Sequence, residues 1–277
     1  MESVKKLINS TRMKFHSSFC DLHTFKRNGE EIPNPVQRMV YNGNVMCPMC
    51  EKIKNDQLFE EQVNAEINKT KSESAYNTLF DKSILDDNTL TKARFSNYRV
   101  LEAEETKNKD LALEYYQAYR AGENFNLILQ GKQGTGKSHL AYATLWELNM
   151  DKEYSCLFVS IDSMLRKIKA SFRDKESKYT EEYFNHLLSD VDFLVLDDLG
   201  AETGAIDSDK SATDFVQRVL YGITNTRQDK STIITTNLDS KTLFSMYDKK
   251  LVSRLLKRPK YVIFNETKDK RTSNIPF

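Results

Sequence analysis

The chain has 277 residues, of which 39% are hydrophobic and 29% charged, with 41 Lys and Arg against 40 Asp and Glu. That is enough apolar material for one large core and a small one, and four cysteines in this length do not make a disulfide scaffold. No run of 18 apolar residues suggests a membrane span and no basic-then-apolar leader is visible, so no membrane partner and a cytoplasmic location are expected.

Charge is unevenly spread. Residues 241–277 carry ten Lys and Arg against three Asp and Glu, while residues 51–90 carry five against nine. The basic end is either a solvated face or a surface that attracts phosphate, and Lys257, Arg258 and Lys260 are unspecific candidates for nucleic-acid contacts.

In chain order, the first signal is a pair of metal-ligand knuckles. Cys20-x-x-His23 is followed, after 23 intervening residues, by Cys47-x-x-Cys50. Each two-residue gap aims both ligands at one ion, which is tetrahedral zinc spacing. About 50 residues hold too little core to fold unaided, so a metal cross-link answers a stability problem. His16 is an alternative fourth ligand, and Cys47 and Cys50 alternatively form a redox pair or stay unrelated thiols.

The stretch 51–80 has no Gly or Pro and predicts a long charged helix. Its apolar residues Phe59, Val63 and Ile67 fall four apart, a narrow stripe expected to pack on its own domain, with a partner surface as the alternative. "DKSILDDNTLTK" then reads as polar linker. The expected organisation is an N-terminal zinc-binding and helical domain over 1–85, a linker over 86–92 and a second domain over 93–277.

That second domain alternates short apolar strands with helices. Strands are expected near 124–130, 154–161, 192–198, 231–237 and 260–266, and helices near 137–149, 162–172, 180–189 and 210–226. This is the pattern of a parallel five-stranded sheet flanked by helices. Cys156 falls in a core strand and is expected to be inert packing.

The sharpest motif is "GKQGTGKS". It leaves a predicted strand and opens a predicted helix, as a phosphate loop must. The expected cradle comprises Gly131, Lys132, Gln133, Gly134, Thr135, Gly136, Lys137, Ser138 and the next helical residue, His139. Its amides and the helix N-terminus attract the phosphates of ATP, Lys137 reaches the β and γ oxygens, and Ser138 ligates Mg²⁺. "DFLVLDD" places Asp197 and Asp198 at the same rim of the sheet. There Asp197 is expected to orient Mg²⁺ and Asp198 to polarise the attacking water. Asp198 is one methylene shorter than a glutamate, and Glu202 is a weaker substitute.

Asn237, at the tip of "IITTN", suits holding that water against the γ-phosphate. Arg254 in "LVSRLLKR" is expected to reach a neighbouring subunit's site, where it neutralises charge developing in the transition state. Arg271 is a candidate γ-phosphate contact within the chain, and Arg227 a weaker candidate for a contact between subunits.

Taken in order, "FSNYRV", "LILQGKQGTGKSHLA", "DFLVLDDLGAE", "TIITTNLD" and "LVSRLLKR" resemble the AAA+ P-loop ATPases, specifically the DnaC/DnaI-type replicative helicase loaders. The resemblance covers roughly residues 93–277. It implies ATP binding and slow hydrolysis, self-association through the AAA+ domain, and loading of a DnaB-type hexameric helicase onto single-stranded DNA. It implies further that the N-terminal domain grips the helicase; zinc-bearing N-terminal domains occur in DnaI-like loaders. Two other readings stay open: an IstB-type transposition helper ATPase, whose motor domain is closely related, and a weakly hydrolysing helicase-binding adaptor or inhibitor, to which the short Asp198 side chain is suited.

Overall fold

The computed structural model describes residues 14–203 and 211–270. They fall into two compact units divided between Thr70 and Lys71.

In the first unit β1 (Lys14–Cys20), β4 (Val36–Tyr41) and β5 (Asn44–Met46) make an antiparallel sheet in the order β1-β4-β5. β2 (Thr24–Arg27) and β3 (Glu30–Pro33) form a separate hairpin. Both tight turns are Asn-Gly pairs in the left-handed region: Asn28 and Gly29 at φ 54° and 87°, Asn42 and Gly43 at 49° and 82°. Two consecutive positive φ values match the right-handed twist of the flanking strands.

Helix α1 (Pro48–Asp81) starts at the second cysteine knuckle and runs 34 residues. Its stripe does not pack on its own domain as expected, since Phe59, Val63 and Ile67 are all exposed. Three residues at strict four-residue spacing drift around a helix of period 3.6 and are too few to make a buried face. Its last turns belong to the second unit, where Thr78 and Leu79 are buried.

The second unit is built on five parallel strands in the order β10-β6-β9-β8-β7. They are β6 (Asn126–Gly131), β7 (Cys156–Ser160), β8 (Phe193–Leu199), β9 (Thr232–Thr236) and β10 (Pro259–Phe264). Side chains alternate between two cores, as a sheet covered on both faces demands. Leu127, Leu129, Phe158, Val195 and Ile233 pack under α2 (Ala103–Arg120) and α3 (Lys137–Met150). Ile128, Val159, Leu196 and Ile234 pack under α4 (Ile161–Ser171), α5 (Glu181–Asp190), α6 (Asp214–Thr226), α7 (Ser240–Met246) and α8 (Lys249–Leu255). Cys156 is fully buried, as expected.

The segment read as a linker is instead built into the sheet edge. The Ile84 amide donates to the Phe158 carbonyl at 2.8 Å and the Ser160 amide donates to the Ile84 carbonyl at 2.9 Å. The Asp86 carboxylate accepts from the hydroxyls of Ser160 and Ser163. Its polar composition reflects these contacts, not freedom. Among the described residues no helix is long and apolar enough to cross a membrane.

Candidate functional site

The phosphate loop joins β6 to α3, and its shape depends on left-handed backbone. Gly136, the N-cap of α3, has φ +96°, and a Cβ there would lie 2.8 Å from Tyr98 Cε2. Tyr98 closes that side of the loop, its hydroxyl donating to the Thr135 carbonyl at 3.3 Å. Lys137 turns back over the loop, donating to the carbonyls of Gly131 (2.8 Å) and Lys132 (2.7 Å) and to Asn237 Oδ1 (2.7 Å). His139 points away, its Nε2 at 3.0 Å from the Arg94 carbonyl and its ring edge-on to Tyr98.

The twin acids owe their position to an irregularity in β8. The register with β9 shifts between Leu196 and Leu199, and Asp198 sits at φ +60°. For a non-glycine residue that conformation costs about 1–2 kcal/mol. Thr235 repairs the interrupted ladder: its hydroxyl donates to Asp197 Oδ1 at 2.7 Å and accepts from the Asp198 amide at 2.8 Å. Burial pushes the Asp197 carboxyl above its ordinary range, opposed by the hydroxyls of Thr235 and Ser138. Asn237 Nδ2 donates to Asp198 Oδ1 at 3.2 Å.

These groups meet in a cleft of about 220 Å³ lined by Gln133, Gly134, Lys137, Ser138, Asp197, Asp198 and Asn237. Asp86 and Asp87, from the strap at the sheet edge, line its other wall. The Ser138 hydroxyl beside a buried carboxylate is a hard oxygen pair of the kind Mg²⁺ takes.

Other expected residues lie elsewhere. Arg227 is not a contact between subunits: it is 4% exposed, and its guanidinium donates to the carbonyls of Leu188, Val191, Asp192 and Ser231. Its position at the end of α6 turns it inward onto the chain ends around β8 and β9. Glu202 accepts from the Tyr247 hydroxyl and, at 2.9 Å, from the Gly200 amide, outside the cleft lining. Arg254 is half-buried over the Tyr221 ring at 4.5 Å, with Nε on Asn225 Oδ1 at 3.3 Å, also outside that lining. Arg271 lies outside the described residues.

In the first unit, the ligand atoms of Cys20, His23, Cys47 and Cys50 all lie within 4.8 Å of one another. Cys20 Sγ and Cys50 Sγ are 3.7 Å apart; two sulfurs each about 2.3 Å from a tetrahedral zinc would be separated by about 3.8 Å. His23 Nε2 is 3.2 Å from Cys47 Sγ and 3.3 Å from Cys50 Sγ. Burial alone would raise the Cys47 thiol, but the amides of Cys50 and Met49 and the His23 ring outweigh it and bring it to about 7. The donor set fits zinc. His16 is not the fourth member: its Nδ1 pairs with Ser18 Oγ at 2.7 Å.

Sequence reasoning missed Thr235, Tyr98, Asp86 and Asp87. Thr235 had a signal, being a polar residue inside an apolar strand one place before the rim. Asp86 and Asp87 had none beyond their charge.

Residues 66–262 match the family model described as IstB-like ATP binding protein. The replicative helicase loader DnaC of Escherichia coli K12 is 37% identical over 109 residues, covering 39% of this chain and 43% of that protein. DnaC of Buchnera aphidicola subsp. Acyrthosiphon pisum is 29% identical over 162 residues, covering 58% of this chain and 62% of that protein. The matches thus span between about two fifths and three fifths of those relatives' length. Among solved structures, the DnaC helicase loader superposes with a TM-score of 0.53 at 23% identity, covering 65% of this chain and all of that one. DnaI superposes at 0.52 with 24% identity, covering 65% and 95%. At such identities these two show the AAA+ P-loop fold alone. With its glycine loop, lysine and twin acids converging on one cleft inside the matched span, the chain belongs to the IstB-like ATP binding protein family, whose members include the DnaC-type loaders.

Proposed function

We propose that the chain is an ATP-dependent loader of a hexameric replicative DNA helicase onto single-stranded DNA. The observation that carries the reading is the convergence of Lys137, Ser138, Asp197, Asp198 and Asn237 on one cleft. The DnaC relatives give the activity its direction. Ser138 and Asp197 would hold Mg²⁺, which supplies charge neutralisation to the triphosphate when bound. Lys137 binds the β and γ oxygens, Asp198 orients and polarises water, and Asn237 fixes both by touching Lys137 and Asp198. Arg254 acts on a neighbouring subunit, Arg271 on the chain's own γ-phosphate, and the Cys/His cluster holds zinc in a helicase-gripping unit.

The test mixes the purified chain with a hexameric replicative helicase and ATP. A stable complex, with phosphate release reduced in Asp198→Asn, supports the reading; no complex with any cognate helicase sinks it. Release from neither the wild type nor the variant supports a non-hydrolysing adaptor. The IstB-like family match keeps open a second reading, a transposition helper assembling on duplex DNA. Comparing duplex with single-strand affinity at fixed salt separates the two.

A further inference from the structure

A second cavity, of about 610 Å³, lies beside the phosphate cleft in the same unit. The strap after α1 is the partition between them. Ile84, Leu85, Asn88 and Thr91 face this cavity, while Asp86, Asp87 and Leu90 face the cleft. The two are therefore separate sites with a common wall.

The cavity's chemistry is cationic and aromatic. Lys82, Lys167 and Lys178 line it against one acid, Asp81. None of the three lysines forms an ion pair with a described residue. Lys167 and Lys178 instead lie over the Tyr179 ring, at 4.6 and 5.2 Å. Tyr183 and the exposed Phe80 present further ring surface. Tyr142 completes the lining. It is 1% exposed, and its hydroxyl has no hydrogen-bond partner among the described residues. The hydroxyl oxygen itself is not sealed from solvent, so within the cavity it is open to a ligand or water.

Lysines bind phosphate as point charges, and flat rings stack bases whatever their identity. We propose that this cavity takes a phosphorylated nucleoside, either free or as one unit of a single strand. The base lies against Tyr179, Tyr183 and Phe80, the phosphate meets Lys82, Lys167 and Lys178, and the Tyr142 hydroxyl bonds a polar edge of the ligand. The site does not depend on the loader reading, because its test is run on a chain whose phosphate cleft is disabled.

The experiment uses the full chain carrying Lys137→Ala, with AMP and a ten-nucleotide oligo-dT as probes. Binding of AMP alone identifies a free nucleotide as the source; binding of oligo-dT identifies a strand. Adding Lys167→Glu and Lys178→Glu is expected to weaken whichever probe binds at least about ten-fold. For oligo-dT it should also flatten the salt dependence by about 1.4 log units per decade, from two phosphate contacts. Tyr142→Phe, which removes only a hydroxyl, should weaken binding about 2–10-fold, the value of one hydrogen bond. The matched charge change Lys107→Glu with Lys249→Glu should leave affinity within about two-fold. Binding of neither probe overturns the proposal. So does affinity unchanged in the Lys167 and Lys178 variant, or reduced equally by the matched control.

Discussion

Lys137 and Asn237, one hundred positions apart, are joined by a 2.7 Å hydrogen bond from the ammonium to the amide oxygen. The same amide gives its nitrogen to Asp198 at 3.2 Å. Asn237 thereby links the group proposed to bind phosphate to the group proposed to polarise water, and we propose it as a positioning residue. Asn237→Ala should lower turnover about 100-fold, the usual effect of losing one preorganised donor, while nucleotide affinity changes little. Single-turnover phosphate release beside equilibrium nucleotide binding measures both. Equal loss in the two would make Asn237 part of the binding loop only.

The buried carboxylate makes stability depend on pH. Burial raises the Asp197 pKa, so the native state binds more protons there than the unfolded chain. Its contribution is fully present below the ordinary aspartate value of about 3.9 and is lost as pH rises through the raised value. Glu202, also raised by burial, acts in the same direction and remains in an Asp197 variant. The difference between the two chains therefore isolates Asp197. Asp197→Asn should flatten the fall in Tm above that window. At neutral pH it should raise Tm by about 2–4 °C, for a gain on the order of 1 kcal/mol. A Tm profile parallel to the wild type's would show that Ser138 and Thr235 already offset the burial.

The glycine loop makes a steric prediction. Gly136 combines φ +96° with an approach of 2.8 Å between its missing Cβ and Tyr98. Gly136→Ala should lose about 1–2 kcal/mol from backbone conformation alone, seen as a lower denaturation midpoint. It should also lose nucleotide affinity, because Tyr98 must move off the Thr135 carbonyl. Stability unchanged in this variant would mean that Tyr98 yields freely.

Legibility in the sequence followed the physics of each signal. The strands of the second unit were readable because β6 to β10 are short apolar runs between helices. The phosphate loop was readable because its glycines and lysine are set by local geometry. The Cys/His knuckles were readable because two-residue spacing is itself the geometry. The strands of the first unit were not called: "KFHSSFC" and "VQRMVY" are half exposed, so their apolar period is weak. Yet "RNGE" and "YNGN" carried the Asn-Gly turn signal that marks both hairpins. The capture of Ser83, Ile84 and Asp86 at the sheet edge depends on partners 70 or more residues away, such as Phe158 and Ser160. No local pattern encodes those.

The Cys/His cluster predicts metal-linked folding. Zinc content should match the chain concentration in the wild type and in His16→Ala, and fall in His23→Ala and Cys50→Ser. Binding free energy at such sites, about 10–16 kcal/mol, is folding free energy, so a chelator should unfold the first unit. Far-UV circular dichroism and zinc analysis of the same samples read this. Zinc retained by His23→Ala would return His16 to the ligand set.

Arg254 tests whether the site is completed by a second copy. It is held over Tyr221 by its own chain, away from the residues lining its own cleft. A neighbour's cleft is the reach that leaves it a catalytic use. Arg254→Ala should then keep nucleotide affinity and lose turnover by about 10³-fold, the scale of an arginine supplied in trans. Lys137→Ala fails for the opposite reason, having the arginine but no working loop. Mixed, the two inactive chains should regain phosphate release, because a Lys137→Ala subunit offers Arg254 to the intact loop of its neighbour. Activity that stays absent at every mixing ratio, in a mixture shown by sedimentation to assemble, would confine Arg254 to its contact with Tyr221.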